Sequence, residues 1–160
     1  MSDDAPHEAI DLAALLTREH RDIDAGIEGY LASSRAGAPD ASRLLDAMVA
    51  LRRHIYLEEV FVFPALASGP LGIPIQVMLR EHGAIWRSMD AVAARLAADA
   101  SPGDDCRELL SLLESHNAKE EPVIYPRAAP ALDAAALGEL GAFVKSGRMP
   151  DGWVCRAAAA

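Results

Sequence analysis

The sequence of 160 residues is short of cysteine, of aromatic residues and of positive charge, and each shortage excludes a class of protein. Its two cysteines, Cys106 and Cys155, form no disulfide framework and lie in no zinc-type Cys-x-x-Cys motif, so we expect two reduced thiols. Acidic residues outnumber basic ones by 24 to 15, and the formal net charge of −9 argues against a surface for nucleic acid or an anionic membrane. Aromatic residues make up only 5%, which favours helices over strands in a chain rich in alanine and leucine.

Long apolar runs are also missing. No run approaches the roughly 20 residues that a membrane-spanning helix needs, and the amino terminus lacks the basic start of a signal peptide. We therefore expect a cytoplasmic protein, a monomer or homodimer, whose partners are small molecules or ions and include no nucleic acid and no membrane. The length and a hydrophobic content of 51% predict a single domain over residues 1–160 with its own core.

Glycine and proline are concentrated in three places that divide the chain into four segments of more than twenty residues each. The breaks fall at residues 37–40, 68–72 and 101–104. Asp40 and Asp104 stand where an aspartate commonly caps the amino end of a helix, and we predict that they cap the second and fourth segments.

The four segments predict an all-α protein. Short connections make consecutive helices antiparallel, so we expect an up-down-up-down four-helix bundle over about residues 8–127. A short helix from about Leu132 to Lys145 and a tail without helical period are expected to follow, over about residues 130–160.

One spacing organises the polar residues of this bundle. His20 and His54 lie 34 residues apart, and His82 and His116 repeat that interval after a shift of 62. The same shift carries residues 18–20 onto 80–82, His54-x-x-x-Glu58-Glu59 onto His116-x-x-x-Glu120-Glu121, and Phe63-Pro64 onto Tyr125-Pro126. Because residues i and i+4 share one face of a helix, each His-x-x-x-Glu motif presents an imidazole and a carboxylate to the same neighbour.

These polar residues fall on the apolar seams of the predicted helices. The seam of the second segment reads Leu44, Ala47, Leu51, His54, Glu58, Phe61, Ala65, and that of the fourth reads Cys106, Leu109, Leu113, His116, Glu120, Val123. A lone histidine on such a seam is usually hydrogen-bonded within the core or tilted outward. Four histidines and two glutamates at matched heights cost several kcal/mol if buried without partners, so we expect a metal centre.

The types of ligand narrow the choice of metal ion. Four imidazoles and two carboxylates are too many for one tetrahedral zinc ion and too rich in nitrogen for calcium or magnesium, whereas they suit two first-row ions bridged by carboxylates. Iron is the favoured metal, with manganese and zinc as substitutes. In this arrangement one ion takes His20 and His54, the other takes His82 and His116, and the two bridging carboxylates are Glu58 and Glu120.

The stretch from His20 to Pro126 resembles the hemerythrin-like, or HHE cation-binding, domains. Their pattern is a histidine, a His-x-x-x-Glu motif, another histidine and a second His-x-x-x-Glu motif. The resemblance implies an antiparallel four-helix bundle holding a non-haem, oxo- or hydroxo-bridged di-iron centre. By position, the implied ligands are His20, His54, Glu58, His82, His116 and Glu120. Oxygen-carrying hemerythrins have a further histidine four residues after the one on the third helix, where this chain has Trp86.

Three functions remain open at this point. The favoured one is reversible binding or sensing of dioxygen or a related small molecule, such as nitric oxide or peroxide. An apolar wall around the open coordination position is predicted from Leu51, Ile85, Trp86, Met89 and Leu113. The alternatives are a di-iron enzyme that acts on peroxide or nitric oxide, and a protein that stores or donates iron. Trp86 has a second interpretation, ordinary packing in the core.

Four further residues lie close to the predicted ligands in sequence. Asp24 is a candidate seventh ligand or hydrogen-bond acceptor for an imidazole, although a solvated helix face is the default expectation. Glu59 and Glu121 sit about 100° around the helix from the bridging glutamates, so surface salt bridges are expected. Pro122 cannot donate its backbone nitrogen, which predicts a bend in the fourth helix and a distortion on that side of the site.

Overall fold

The computed structural model describes residues 10–159, and every regular element in this range is helical, as predicted. The α-helices are α1 (Leu12–Arg35), α2 (Ala41–Leu57), α3 (Phe63–Leu66), α4 (Gly72–Ala97), α5 (Gly103–Val123), α6 (Tyr125–Ala131), α7 (Ala134–Ser146) and α8 (Arg156–Ala159). A π-helical turn, Glu58–Val62, joins α2 to α3. None of the described helices has an apolar stretch long enough to cross a membrane. The predicted start of the bundle near residue 8 lies outside the described residues.

The four long helices, α1, α2, α4 and α5, occupy the four predicted segments, and α7 occupies the predicted short helix. Asp40 caps α2 as expected, because its side chain accepts a hydrogen bond from the backbone nitrogen of Arg43 at 3.3 Å. The predicted cap at Asp104 is wrong. Helix α5 begins at Gly103, two residues before the start that a cap at Asp104 implies, so Asp104 lies in the first turn and its carboxylate binds the side chain of Arg107.

The apolar core forms two clusters with the predicted ligands between them. Helix α1 packs against α2 and α5, and α4 packs against α5. Along α1 the order is Leu16 in one cluster, then His20, then Ile23 in the other. Burial of aliphatic side chains on both sides stabilises the helices by roughly 1.5–3 kcal/mol for each fully buried leucine or isoleucine, and it keeps water away from the polar layer.

The seams of α2 and α5 shift by one residue after the two glutamates. In the second segment the predicted seam residue Ala65 is exposed, whereas Val62 and Phe63 are buried. The cause is the π-helical turn, which places an extra residue in one turn and rotates the residues beyond it. After α5, Val123 is 39% exposed and Tyr125 is buried.

Both glutamates are therefore followed by an irregular backbone. Pro122 lies inside α5, which ends at Val123, and α6 starts at Tyr125. The π-helical turn begins at Glu58 itself. Helix α5 ends one residue after Pro122, on the side where the sequence predicts a distortion. The π-helical turn makes the backbone irregular on the Glu58 side as well, which the sequence analysis did not predict.

The C-terminal tail packs over α4. Trp153 contacts Trp86 edge-to-face with ring centroids 5.6 Å apart. In α8, the backbone nitrogen of Arg156 donates to Glu59 Oε1 at 2.9 Å. Helix α8 comes so close to α4 that a Cβ added at Gly83 would lie 2.8 Å from Cβ of Ala157. The tail, for which the sequence indicated no helical period, thus ends in one short helix docked beside the polar layer.

Candidate metal centre

The structure brings all six predicted ligands together in the interior. They come from five elements, because α1, α2, the π-helical turn and α4 each supply one residue and α5 supplies two. Their exposed fractions run from 0% to 4%. They form two groups that share one residue: His20, His54, Glu58 and Glu120 in the first, and His82, His116 and Glu120 in the second. We call these groups the first and second positions.

At the first position the ligand atoms lie within hydrogen-bond distance of one another. His20 Nε2 is 3.0 Å from His54 Nε2. His54 Nε2 lies 2.8 Å from Glu58 Oε1, and His20 Nε2 lies 3.3 Å from Glu120 Oε2. Two imidazole nitrogens and two carboxylate oxygens thus converge on one point, which is the donor set of a site for a first-row metal ion.

The second position is looser. His116 Nε2 lies 3.1 Å from Glu120 Oε2, and His82 Nε2 lies 3.8 Å from Glu58 Oε1. Among the described residues, three ligand atoms are buried without a hydrogen-bond partner: Glu58 Oε1, Glu120 Oε1 and His82 Nε2. The 2.8 Å approach of Glu58 Oε1 to His54 lacks hydrogen-bond geometry. Unpaired buried donors and acceptors are costly, and a cation would satisfy all three, so the residues fit a metal.

Each ligand histidine is held from behind by a glutamate. Its Nδ1 meets a carboxylate: His20 with Glu121 at 2.9 Å, His54 with Glu19 at 3.3 Å, His82 with Glu59 at 2.7 Å and His116 with Glu81 at 2.8 Å. Because a carboxylate can only accept, each Nδ1 carries the proton and donates it. The Nε2 atoms are therefore free to bind a metal, and the carboxylates fix the ring orientations.

These four glutamates correct one expectation and complete the repeat. Glu59 and Glu121 were expected to form surface salt bridges, but both bind ligand histidines, and the side chain of Glu59 is only 5% exposed. The prediction is wrong because helices pack on two faces near the polar layer, so a residue 100° from the seam reaches the next helix. Glu19 and Glu81 had no predicted role. Their place beside His20 and His82 in the repeat was the available signal.

Tyr125 is the functional residue that the sequence reasoning missed. It begins α6 and is 1% exposed. Its Oη lies 2.8 Å from His20 Nε2 and 3.3 Å from His54 Nε2. The same atom lies 3.1 Å from Glu120 Oε2 and 3.3 Å from Glu58 Oε2. A single phenol group therefore touches every ligand of the first position.

At the second position, Phe63 occupies the place that Tyr125 has at the first. The shift of 62 relates the two, and Phe63 stacks on His82 with ring centroids 5.4 Å apart, as Tyr125 lies 5.4 Å from His20. The rings occupy matching places beside their histidines. The aromatic rings beside the two positions thus differ by one hydroxyl group. The mapping of Phe63-Pro64 onto Tyr125-Pro126 was the signal in the sequence for this difference.

In the metal-free protein the two carboxylates share protons with their neighbours. Burial and the charge of Glu120 raise the pKa of Glu58 well above its ordinary value. Burial also acts to raise the pKa of Glu120, but hydrogen bonding from Glu58 and the charge of His116 outweigh it and hold that pKa well below the ordinary value. Glu58 is therefore the protonated partner and Glu120 the charged one.

The two histidines of the second position have opposite pKa shifts. Burial opposes the charged form of His116, but Glu120 outweighs it and raises the pKa of His116 to about 9. Burial dominates at His82 and lowers its pKa, although the hydrogen bond to Glu59 acts against the shift. At neutral pH the metal-free site therefore holds protons that a metal must displace.

The other two candidates stay outside both groups. Asp24 is half-buried, and burial raises its pKa, but it contributes no atom to either group. Trp86 packs under the tail, with Trp153 against its edge and the guanidinium of Arg52 at 5.3 Å from its ring. Its environment is that of a core aromatic residue, as the second interpretation had it.

The comparisons with known proteins agree with this geometry. Among curated proteins and solved structures, none matches the chain significantly. The family model described as hemerythrin HHE cation binding domain matches residues 11–128, which include α1 to α5 and every residue of both positions. This match confirms the resemblance stated from the sequence. The chain belongs to the hemerythrin family of HHE cation-binding domains.

Proposed function

We propose that the protein binds two iron ions, one at each position, and through them binds or senses dioxygen or a related small molecule. The observation that carries the proposal is the convergence of four imidazoles and two carboxylates in a dry interior, each imidazole oriented by its own glutamate. Manganese and zinc are the substitutes that the same donors would accept.

The carboxylates support a count of two ions. Glu120 belongs to both groups, and Glu58 Oε1 faces His82 at 3.8 Å as well as His54 at 2.8 Å. A carboxylate with an oxygen toward each side is suited to bridge two cations. Two adjacent cations also need negative charge nearby, which Glu58 and Glu120 supply once both are ionised.

We also infer that the four long helices form the antiparallel bundle expected from the sequence. The connections are short, and α1 reaches both α2 and α5 through His20, which contacts His54 and Glu121. Likewise His82 of α4 contacts Glu59 in the π-helical turn and His116 in α5.

The surroundings favour binding of a small, uncharged ligand. Iron held by these residues would supply the redox chemistry for dioxygen, nitric oxide or peroxide. The protein supplies apolar clusters above and below the polar layer, which exclude water. The second position has fewer protein donors, so it is the one with room for a further ligand.

The test is to load the protein with ferrous iron without air and to record metal content and absorption before and after adding dioxygen, nitric oxide or peroxide. We expect two irons per chain and a change in near-ultraviolet absorption. The variants His54→Ala and His116→Ala should each lose iron and the response, whereas His7→Ala, which removes the one histidine outside the repeat, should keep both. Two bound irons without any response would reject the small-molecule role. Failure to bind iron would reject the iron site itself.

A further inference from the structure

The position of the Tyr125 hydroxyl is unusual for a buried phenol. A buried tyrosine needs one hydrogen-bond partner, and Glu120 Oε2 at 3.1 Å is sufficient. Instead Oη also approaches His20 Nε2 at 2.8 Å and His54 Nε2 at 3.3 Å. A phenol O–H donates only one hydrogen bond, and although its oxygen can also accept, the Nε2 atoms of His20 and His54 have no proton to donate, because Nδ1 carries it. The approaches to both imidazoles are therefore not explained by hydrogen bonding alone.

The distances match those between ligands of one metal ion. First-row ions bind nitrogen and oxygen at about 2.0–2.2 Å, so two ligands at a right angle lie roughly 3 Å apart. Tyr125 Oη lies 2.8 to 3.3 Å from one atom of each of the four ligands at the first position. A fifth donor is thus in place around that point.

Tyr125 Oη also lies 3.1 Å from Glu120 Oε2 and 3.3 Å from Glu58 Oε2, so an ionised phenol at this place needs a cation beside it. A di- or trivalent cation among the same groups reverses the local field, because it is the largest charge in the site. A cation held there would favour the phenolate of Tyr125, and the phenol proton would pass to solvent.

We propose that Tyr125 is a fifth protein ligand of the metal at the first position, and that Phe63 leaves the second position without one. The inference rests on the proposed metal site. It makes the first position the more tightly held of the two, and it assigns the difference to one hydroxyl group.

The test compares Tyr125→Phe with the parent protein after loading with ferric iron. Phenylalanine is what the other half uses at this place, so the variant should fold, and circular dichroism checks it. A phenolate bound to ferric iron absorbs in the visible region and shows tyrosinate modes in resonance Raman spectra. We expect both signals in the parent and neither in Tyr125→Phe, and a chelator should remove one ion from the variant roughly tenfold faster or more.

The matched control is Tyr56→Phe, because Tyr56 packs against Phe61 and Trp153 and not against the ligands. It should keep both signals. Two bound ferric ions without a phenolate signal in the parent, or with the same signal in Tyr125→Phe, would overturn the inference.

Zinc separates this inference from the proposed iron function. If the protein takes up zinc and no iron, the iron proposal fails while Tyr125 is still tested. Zinc addition should then produce the ultraviolet difference spectrum of an ionised tyrosine in the parent and none in Tyr125→Phe. Absence of that spectrum with zinc bound overturns the role of Tyr125, and absence of any bound metal overturns both proposals.

Discussion

The two positions present similar side chains, histidine and glutamate, in different surroundings. At the first position His20 faces the hydroxyl of Tyr125, and the donor atoms lie within 3.3 Å of their neighbours. At the second position His82 faces the apolar ring of Phe63, and the distance to Glu58 opens to 3.8 Å. A repeat in sequence therefore does not imply two equal sites, since the two positions differ in one hydroxyl group and in the spacing of their polar atoms.

The largest effect should come from Glu120, which belongs to both positions. We expect Glu120→Ala to lower metal affinity at both by more than the roughly 100-fold that loss of an outer-shell partner costs. His82→Ala, which touches one position, should leave one ion per chain. Metal content after dialysis measures both. One ion retained in Glu120→Ala at unchanged affinity would break the idea of a shared ligand.

The glutamates that hold the histidines should contribute unequally to metal affinity at the two positions. Glu59 is 5% exposed and Glu121 is 37% exposed, and each binds a ligand histidine. We expect Glu59→Gln to weaken metal binding by roughly 10–100-fold, because its hydrogen bond is shielded from water. Glu121→Gln should cost less, since solvent screens that pair. Competitive titration with a chelator gives both values, and equal losses would contradict the reasoning from burial.

A hydroxyl group added at the second position should make it resemble the first. Phe63→Tyr places a phenol beside His82, where Tyr125 stands beside His20. We expect it to occupy the open place at the second position and to weaken nitric oxide binding by about tenfold, a difference of about 1.4 kcal/mol. Tyr125→Phe serves as the matched control and should not weaken it. Unchanged affinity in Phe63→Tyr would show that the small ligand binds elsewhere.

Protonation distinguishes the two histidines of the second position. The pKa of His116 is raised to about 9 in the folded metal-free protein, against an ordinary value of 6.5. Its contribution to stability is therefore complete below pH 6.5 and is lost as the pH rises through 9. Urea unfolding of metal-free protein should show stability falling over this range, by up to about 1.4 kcal/mol per pH unit. His116→Gln should make the slope shallower without abolishing it, because the pKa of Glu58 is also raised. His82→Gln should keep it, because the pKa of His82 is lowered instead.

The smallest expected effect is on stability and concerns the C-terminal tail, which packs beside α4 and Glu59 at the second position. In Gly83→Val the new side chain meets Ala157, since even a Cβ would lie 2.8 Å from that residue. We expect displacement of α8 and a loss of about 1 kcal/mol in the free energy of unfolding. Gly138→Ala is the control, because nothing lies within 4 Å of its added Cβ, and it should not destabilise. An unchanged melting temperature in Gly83→Val would show that the docked tail adds nothing.

Much of the helical fold is set by local rules. Breaks rich in glycine and proline mark the ends of the four long helices, and Asp40 caps where it was predicted. The predicted cap at Asp104 is wrong by two residues, because an aspartate is also favourable inside the first turn of a helix, where Asp104 lies. The predicted seams are right up to the two glutamates and wrong beyond them. After Glu58 the cause is a π-helical turn, which has no clear local signature, and after Glu120 it is the end of α5.

The sequence by itself determined which residues are buried together as candidate ligands, because a 3,4 spacing on four helices and a shift of 62 residues place six polar groups at one height. The tertiary structure decided what supports and distinguishes them. Glu19, Glu59, Glu81 and Glu121 meet their histidines from neighbouring helices. Tyr125 reaches the first position from α6. Periodicity describes one helix at a time, whereas contacts between helices depend on their rotation and packing, which no single segment contains.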